Sequence, residues 1–368
     1  MGEVKLFFGP NHPGMHGNFS VHMYVEGDIV KRARPLPGFL HRGFEKLMER
    51  RYWLSNLALI PRICVPEPDI NEACYAMGIE KIAKLDVPER AQWIRMIVLE
   101  LARMANHLSA IGGVGGPIGL YTASHWGTAD RDRILDIFEA LTGARVYHMY
   151  IIPGGVRKNM TPQIEEMIWK VMDYIESRLD DYENLIFKNR ILHSRLKGRL
   201  VLTREQALEM GVTGVGIRAT GVEYDIRKVD PYLFYDKVEF EVPTATDADA
   251  FSRVYLKFKE LSQSIRIIRQ ALEKMPQSDK VNVPISKGSA LRHVVPKGMA
   301  YAHIESARGE FGFFVVSDGK NKPYRVAVRG ASYPQGLYGI EKYLPGTRIE
   351  DVALWLATMD VCAPEIDR

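Results

Sequence analysis

Between Phe19 and Glu26 the apolar residues Phe19, Val21, Met23 and Val25 alternate with Ser20, His22, Tyr24 and Glu26. A period of two puts one set on a buried face, and Gly27-Asp28 then turns the chain into Ile29 to Arg34, so the pattern predicts an early β-hairpin. From about Phe44 to Met275 the period changes to 3.6. Ile94, Ile97, Leu101, Met104 and Leu108 share one helix face, and Ile168, Met172, Ile175, Leu179, Tyr182 and Ile186 share another. Cap signals agree: Thr161-Pro162 offers an N-cap followed by proline at the first helical position, and Thr203 to Gln206 has capping-box spacing with Gly211 as a stop. After Pro296, the segments Met299 to Glu305, Gly312 to Val316 and Tyr324 to Arg329 read as a small antiparallel sheet, joined by turn chemistry at Asp318-Gly319 and Lys322-Pro323. A last helix runs from about Ile349 to Met359.

No repeat of fixed period and no low-complexity linker divides the chain. The expectation is therefore one α+β unit over residues 1–368, built on a central long-helix bundle with small antiparallel β pieces at its N- and C-terminal ends. Its parts are a hairpin region at 1–36, the helical core at 44–275, the sheet at 297–330, and a C-terminal helix and tail at 349–368.

Composition narrows the class. With 46% hydrophobic and 26% charged residues the chain is neither disordered, collagen-like nor disulfide-stapled. Lys+Arg 49 against Asp+Glu 45 leaves a net charge of +4 with no basic arm, which argues against a nucleic-acid partner. Every apolar stretch stops well short of the ~18 residues a membrane helix needs. The first ten residues lack the apolar run of a secretion signal, and three cysteines cannot make a closed disulfide set, so a cytoplasmic, reduced protein is expected.

Two distant segments share the form Cys-x-Pro-Glu: Cys64-Val65-Pro66-Glu67 and Cys362-Ala363-Pro364-Glu365. A thiolate and a carboxylate three residues apart can converge on one reactive centre, but two Cys and two Glu are an odd donor set for structural zinc. On spacing alone, the stronger reading is two proline-broken turns with buried cysteines and solvated glutamates. Cys74, on an expected helix from Asn71 to Lys81, reads as a core thiol. Gly112-Gly113-Val114-Gly115-Gly116-Pro117 follows a helix rather than a strand and lacks a following Lys-Ser/Thr, so it fails as a phosphate cradle and reads as a helix-ending loop that lets backbones approach. His12 and His16 lie in a Gly/Pro-rich loop, Gly9 to Gly17, and are candidates for a site or for structural hydrogen bonding.

Other segments carry a resemblance. Gly9-Pro10-Asn11-His12-Pro13-Gly14-Met15-His16-Gly17 and Gly38-Phe39-Leu40-His41-Arg42-Gly43-Phe44-Glu45-Lys46-Leu47 resemble the opening of the 49-kDa subunit of respiratory complex I. That family also includes the large subunits of energy-converting nickel-iron hydrogenases. Asn71-Glu72-Ala73-Cys74-Tyr75, Thr142-Gly143-Ala144-Arg145, Pro153-Gly154-Gly155-Val156, Gly221 to Lys228, Gly309-Glu310-Phe311-Gly312 and the tail Pro364-Glu365-Ile366-Asp367-Arg368 extend the likeness over nearly the whole chain.

The resemblance implies a nickel-iron hydrogenase large-subunit-like fold and a peripheral position on the cytoplasmic face of the cell membrane, within an ion-pumping oxidoreductase. Its implied partners are an iron-sulfur small subunit, a complex I 30-kDa-like subunit, membrane-arm subunits including antiporter-like ones, and indirectly ferredoxin. In the hydrogenases two Cys-x-x-Cys pairs hold nickel and iron. Here the matching places are Cys64-x-x-Glu67, preceded by Arg62, and Cys362-x-x-Glu365, and losing half the soft thiolates should abolish such a centre. The expectation is no metal or cofactor on this chain, with an iron-sulfur cluster in the adjacent small subunit.

The quinone-reducing branch places a loop histidine and a helix tyrosine at the quinone head, and these match His16 and Tyr75. The acid partnering that histidine would fall within Gly113 to Leu120, where there is no Asp or Glu, and the family's later Ser-Phe-Ala-His is Ser332-Tyr333-Pro334-Gln335 here. The chain is most similar to the archaeal membrane-bound sulfane sulfur reductases, which keep half-retained cysteine motifs. The implied activity is sulfane sulfur reduction driven by reduced ferredoxin; quinone reduction is the alternative, and a non-catalytic coupling scaffold a second one. Cys64, Glu67, Cys362, Glu365 and Arg62 are then expected around one buried cavity, with His12, His16 and Tyr75 at a separate mouth.

Overall fold

The computed structural model describes residues 2–11, 17–283 and 293–368. β1 (Val4–Phe8), β2 (Ser20–Glu26) and β3 (Ile29–Leu36) form an antiparallel sheet with β2 in the centre. The expected hairpin is β2–β3, its turn made by Gly27 at φ 63° and its buried face by Val21, Met23 and Val25. β1 escapes a reading by period because only Phe8 of its five residues is buried, which leaves no alternation to detect.

α1 (Phe44–Arg50) leads into α2 (Pro68–Ala83), α3 (Glu89–Ile118), α4 (Tyr121–Thr142) and α5 (Pro162–Tyr182), with the short hairpin β4 (Ile151–Ile152) and β5 (Gly155–Val156) before α5. Four short helices, α6 (Arg190–Leu196), α7 (Arg204–Met210), α8 (Val215–Arg218) and α9 (Ile226–Val229), precede α10 (Ala250–Lys274). The caps read from sequence are present: Thr161 Oγ1 accepts from Ile164 N, and Thr203 and Gln206 close a reciprocal capping box. α5 is amphipathic as expected, with Ile168, Met172, Ile175 and Tyr182 buried.

α3 is the axis of the bundle, packed by α2, α4, α10 and α13 (Ile349–Thr358). Its predicted stripe is buried, but so are Met96, Val98 and Leu99 on its other faces, because neighbours surround it. The expected loop at Gly112 to Pro117 is instead the last part of α3, which ends at Gly119 in the left-handed region, φ 78°. Glycine loses its breaking effect here because close packing against α4 outweighs its propensity penalty. The expected close backbone approach is real: a Cβ at Gly115 would sit 2.6 Å from Leu120 O, and one at Gly127 2.4 Å from Leu108 O. Gly127→Ala should therefore force α3 and α4 apart and destabilise the chain by about 1–3 kcal/mol, seen as a lowered thermal midpoint of the assembled complex.

β6 (Gly298–Ser306), β7 (Gly309–Ser317) and β8 (Arg325–Arg329) form the expected antiparallel meander, with β7 in the centre. Its buried face, including Ala302, Ile304, Phe313 and Val315, covers α2. α11 (Ser332–Gly336), α12 (Tyr338–Tyr343), α13 and α14 (Ala363–Asp367) complete the chain. Between α3, α8, α9, α10 and β6 lies a buried band of charge. Arg218 donates to Glu260 at 2.7 Å and Glu305 at 2.8 Å, and Arg227 to Asp225 at 2.6 Å and Glu100 at 3.1 Å. No helix among the described residues is long and apolar enough to cross a membrane.

Candidate active site

The two Cys-x-Pro-Glu segments meet. The first lies between the 3-10 turn Ile60–Arg62 and α2, where Pro68 takes the first helical position and Glu67 the N-cap. The second opens α14, with Cys362 at the N-cap and Pro364 in the first turn. Proline thus starts a helix in both, and each start delivers a thiol and a carboxylate to the same place. Cys64 Sγ, Cys362 Sγ and a Glu365 carboxylate oxygen lie within 4.8 Å of one another.

All four side chains are buried, Glu67 and Glu365 to 1% exposure, so the reading of solvated glutamates is corrected. Each carboxylate is held by backbone and side-chain donors. Glu365 accepts from Ser332 N at 3.0 Å and Ser332 Oγ at 3.3 Å, and the same hydroxyl accepts from Cys362 N at 3.0 Å. Glu67 accepts from Ala307 N at 2.9 Å and Arg308 Nη1 at 2.9 Å.

Arg308, in the turn between β6 and β7, is the residue that sequence reasoning misses. Besides Glu67, its Nη1 reaches Cys64 Sγ at 3.2 Å, its Nη2 donates to Asn106 Oδ1 at 2.7 Å, and its Nε donates to Asp360 O at 2.9 Å. Asp360 in turn receives Lys257 Nζ at 3.1 Å and Asn106 Nδ2 at 2.7 Å. The nearest sequence signal is Gly309-Glu310-Phe311-Gly312, which begins one residue later.

Arg62 does not enter this cluster, which corrects its expected place. The 3-10 turn aims it away, so that it donates to Ala58 O and stacks 4.8 Å over the Tyr147 ring. Tyr75 is fully buried in α2. Its hydroxyl donates to Trp53 O at 3.2 Å and accepts from Asn56 Nδ2 at 3.2 Å, and its ring packs on Phe313, so it stands at no open mouth. Cys74 is the core thiol expected, donating to Ala302 O at 3.1 Å. His12 and His16 lie outside the described residues.

A cavity of about 420 Å³ adjoins the cluster, with Val65, Pro66, Asn106, Arg308, Cys362 and Pro364 in its wall. Cys362 therefore faces the cavity, while Cys64, absent from that wall, stands behind it. The electrostatics follow from burial. Loss of water raises Glu67 to about 7 despite Arg308 beside it, and burial raises Glu365 too. Burial also opposes Asp360's charge, but Arg308 and Lys257 hold that carboxyl well below its ordinary value. The Cys64 thiol is pushed well up, first by its hydrogen bond with Cys362 and then by burial. The site thus combines a fixed cation, a carboxyl that keeps its proton near neutrality, and two adjacent sulfurs beside a largely apolar cavity.

Comparison with known proteins places the chain in a lineage. A family model for the 49 Kd subunit of the respiratory-chain NADH dehydrogenase matches residues 117–368. The D subunit of the NADH-quinone oxidoreductase of Thermosipho melanesiensis is 79% identical over 368 residues, 100% of both chains. The D subunit of the F(420)H(2) dehydrogenase of Methanosarcina mazei is 36% identical over 368 residues, 100% of this chain and 98% of that one. A chain in the structure of the membrane-bound sulfane sulfur reductase, an archaeal respiratory membrane complex, superposes with a TM-score of 0.95 at 47% identity, covering 100% of this chain and 98% of that chain, in keeping with the expected hydrogenase-like large-subunit fold. The chain belongs to the family of the 49 kDa subunit of the respiratory-chain NADH dehydrogenase, the D subunit of NADH-quinone oxidoreductases.

Proposed function

We propose that this chain is the sulfane sulfur-reducing subunit of a membrane-bound, ion-pumping oxidoreductase, and that the cavity at Cys362 is where the sulfur chain is cleaved. The observation that carries the reading is the side-chain set at that cavity: Arg308 between Cys64 and Glu67, with Cys362 in the wall. A polysulfide is polarisable and apolar along its length but leaves as an anion. Apolar Val65, Pro66 and Pro364 suit the former, and Arg308 with a protonated Glu67 suits the latter. An iron-sulfur cluster in a neighbouring small subunit would supply electrons; binding, charge stabilisation and protonation fall to this chain.

The donor set does not fit a nickel-iron pair. Cys64 and Cys362 offer two sulfurs where four would be needed, a guanidinium already sits on Cys64 Sγ, and Glu365 is engaged by Ser332. Elemental analysis of the purified complex should find nickel far below one atom per chain; stoichiometric nickel would refute this part.

Quinone reduction is the second reading, supported by the relative in Thermosipho melanesiensis, a subunit of an NADH-quinone oxidoreductase. Against it, the Tyr75 hydroxyl is already spent on Trp53 and Asn56 inside the core. Supplying the complex with reduced ferredoxin and offering polysulfide, quinone and protons in turn separates the readings. Quinone turnover without sulfide production would reverse their order.

A further inference from the structure

We infer that His148 is a positioning residue for the cavity: by pinning the first turn of α2 it fixes the Val65-Pro66 wall against which the substrate lies. The identity of that substrate rests on the sulfur-reducing reading above; the clamp itself rests on the contacts of this chain. His148 lies in the segment between α4 and β4, 3% exposed, its ring stacked on Phe138 of α4 at a centroid distance of 4.1 Å. Its Nδ1 stands 2.9 and 3.0 Å from the two carboxylate oxygens of Asp69, and its Nε2 stands 3.2 Å from Arg145 O. A carboxylate and a carbonyl only accept, so both ring nitrogens carry a hydrogen and the ring is an imidazolium. Burial opposes that charge, but Asp69 outweighs it, and His148 is raised above the ordinary histidine value. Glu72, one turn further along α2, also faces the ring. Burial first and then Asp69 push Glu72 up, which leaves Asp69 as the charge that His148 answers. The Arg145 guanidinium points away, to Asp132, Asp136 and Glu139.

The backbone around His148 is shaped for this contact. Tyr147 and Met149, on either side of it, both sit in the left-handed region, φ 60° and 48°, which side chains other than glycine adopt at a cost. That path aims the ring at Asp69 and turns three successive amides, Met149 N at 2.6 Å, Tyr150 N at 2.8 Å and Ile151 N at 2.9 Å, onto the Glu72 carboxyl. From the same turn of α2, Asn71 Nδ2 donates to Cys64 O at 3.3 Å, so the stretch from Cys64 to Glu67 is mounted on the turn that His148 holds. Val65 and Pro66 line the 420 Å³ cavity on one side and, on the other, a gap of about 10 Å³ that they share with Asp69 and His148. The wall is thus a single layer of chain with His148 behind it. Glu67 has anchors of its own in Ala307 N and Arg308, so the clamp bears on substrate binding more than on the proton donor.

The test uses the whole complex, with steady-state kinetics on polysulfide and, without substrate, hydrogen–deuterium exchange read by mass spectrometry. His148→Ala should raise KM about tenfold, within the range over which coupled sites act, while kcat changes less than about threefold. Peptides covering the first turn of α2 should exchange faster. His148→Gln, whose amide reaches the Nε2 position, keeps the bond to Arg145 alone and should behave like alanine. The double variant His148→Asn, Asp69→Asn keeps a hydrogen bond at the Nδ1 position and removes both charges, so it should return KM and exchange to near wild-type values. If His148→Ala fails to assemble, the glutamine and double asparagine variants carry the comparison. Wild-type KM and exchange in His148→Gln would overturn the inference and leave the sulfur-reducing reading standing. Equal losses in KM and kcat that the double variant does not restore would also overturn it, making His148 a residue of the fold alone. A complex that makes no sulfide from polysulfide, yet shows the faster exchange and its restoration, would keep the clamp and overturn the functional reading.

Discussion

Arg308→Met is expected to abolish sulfane sulfur turnover and to destabilise the chain by about 3–5 kcal/mol, the cost of stranding buried carboxylates without their cation. Arg308 is 2% exposed and holds Glu67, Asn106, the Asp360 backbone and Cys64 in one fan of donors. Methionine has similar length and no donor, so among the described residues Asp360 would keep Lys257 and Asn106, and Glu67 would keep Ala307 N. Arg308→Lys separates charge from geometry. An ammonium can pair with Glu67 or approach Cys64, but it cannot reproduce the planar fork that spans both as well as Asn106 and Asp360. The lysine variant should assemble and still lose about 100-fold in turnover, the loss expected when reacting groups are misplaced by an ångström or so. Thermal midpoints of the complex read the first effect and sulfide production the second. An Arg308→Lys complex with wild-type turnover would show that the guanidinium does not organise the site.

Which parts of this arrangement can be read in the sequence depends on the range of the interactions involved. The β2–β3 hairpin, α5 and the Thr203–Gln206 cap are set by residues within a few positions of one another, and alternation or spacing exposes them. The glycines of α3 mislead because their meaning is tertiary: Gly115 and Gly127 are small to admit a neighbouring backbone, and the local rule that glycine ends helices has no access to that neighbour. The Cys-x-Pro-Glu pairs are visible as a coincidence of spelling, but only the resemblance places them together. Arg62 stands two residues from Cys64 in sequence, and the tight turn between them points it outward. Arg308, Asn106 and Asp360 carry no motif at all. Each is one polar residue on a different element, brought together by the packing of β6–β7, α3 and the end of α13. The buried pairs of Arg218 and Arg227 with Glu260, Glu305, Asp225 and Glu100 are invisible for the same reason, since a charged residue in sequence reads as surface until its partner is known.

Glu67→Gln should lower sulfane sulfur reduction by about 10²–10⁴-fold, the range for loss of a positioned general acid, while leaving the complex assembled. Burial raises the Glu67 carboxyl from its ordinary 4.5 to about 7, so near neutrality a substantial share of the chains holds a proton beside Arg308, whose guanidinium links it to the cavity wall. The pH dependence follows with a definite sign. In the wild type the rate should decline as pH rises through about 7 and the acid form is lost, and in Glu67→Gln this alkaline limb should vanish because the amide does not titrate. Stability should move the same way. The folded chain binds this proton more tightly than the unfolded one, so the contribution is complete below 4.5 and lost as pH climbs through about 7. Glutamine should flatten that slope, and because its carbonyl can still accept from Ala307 N, the loss of rate is separable from a loss of fold. Glu365, also raised by burial but held by Ser332, should give a smaller effect as Glu365→Gln. A strong loss in Tyr75→Phe, with both glutamine variants at wild-type rates, would move the acceptor chemistry away from this cavity and toward quinone reduction near Tyr75.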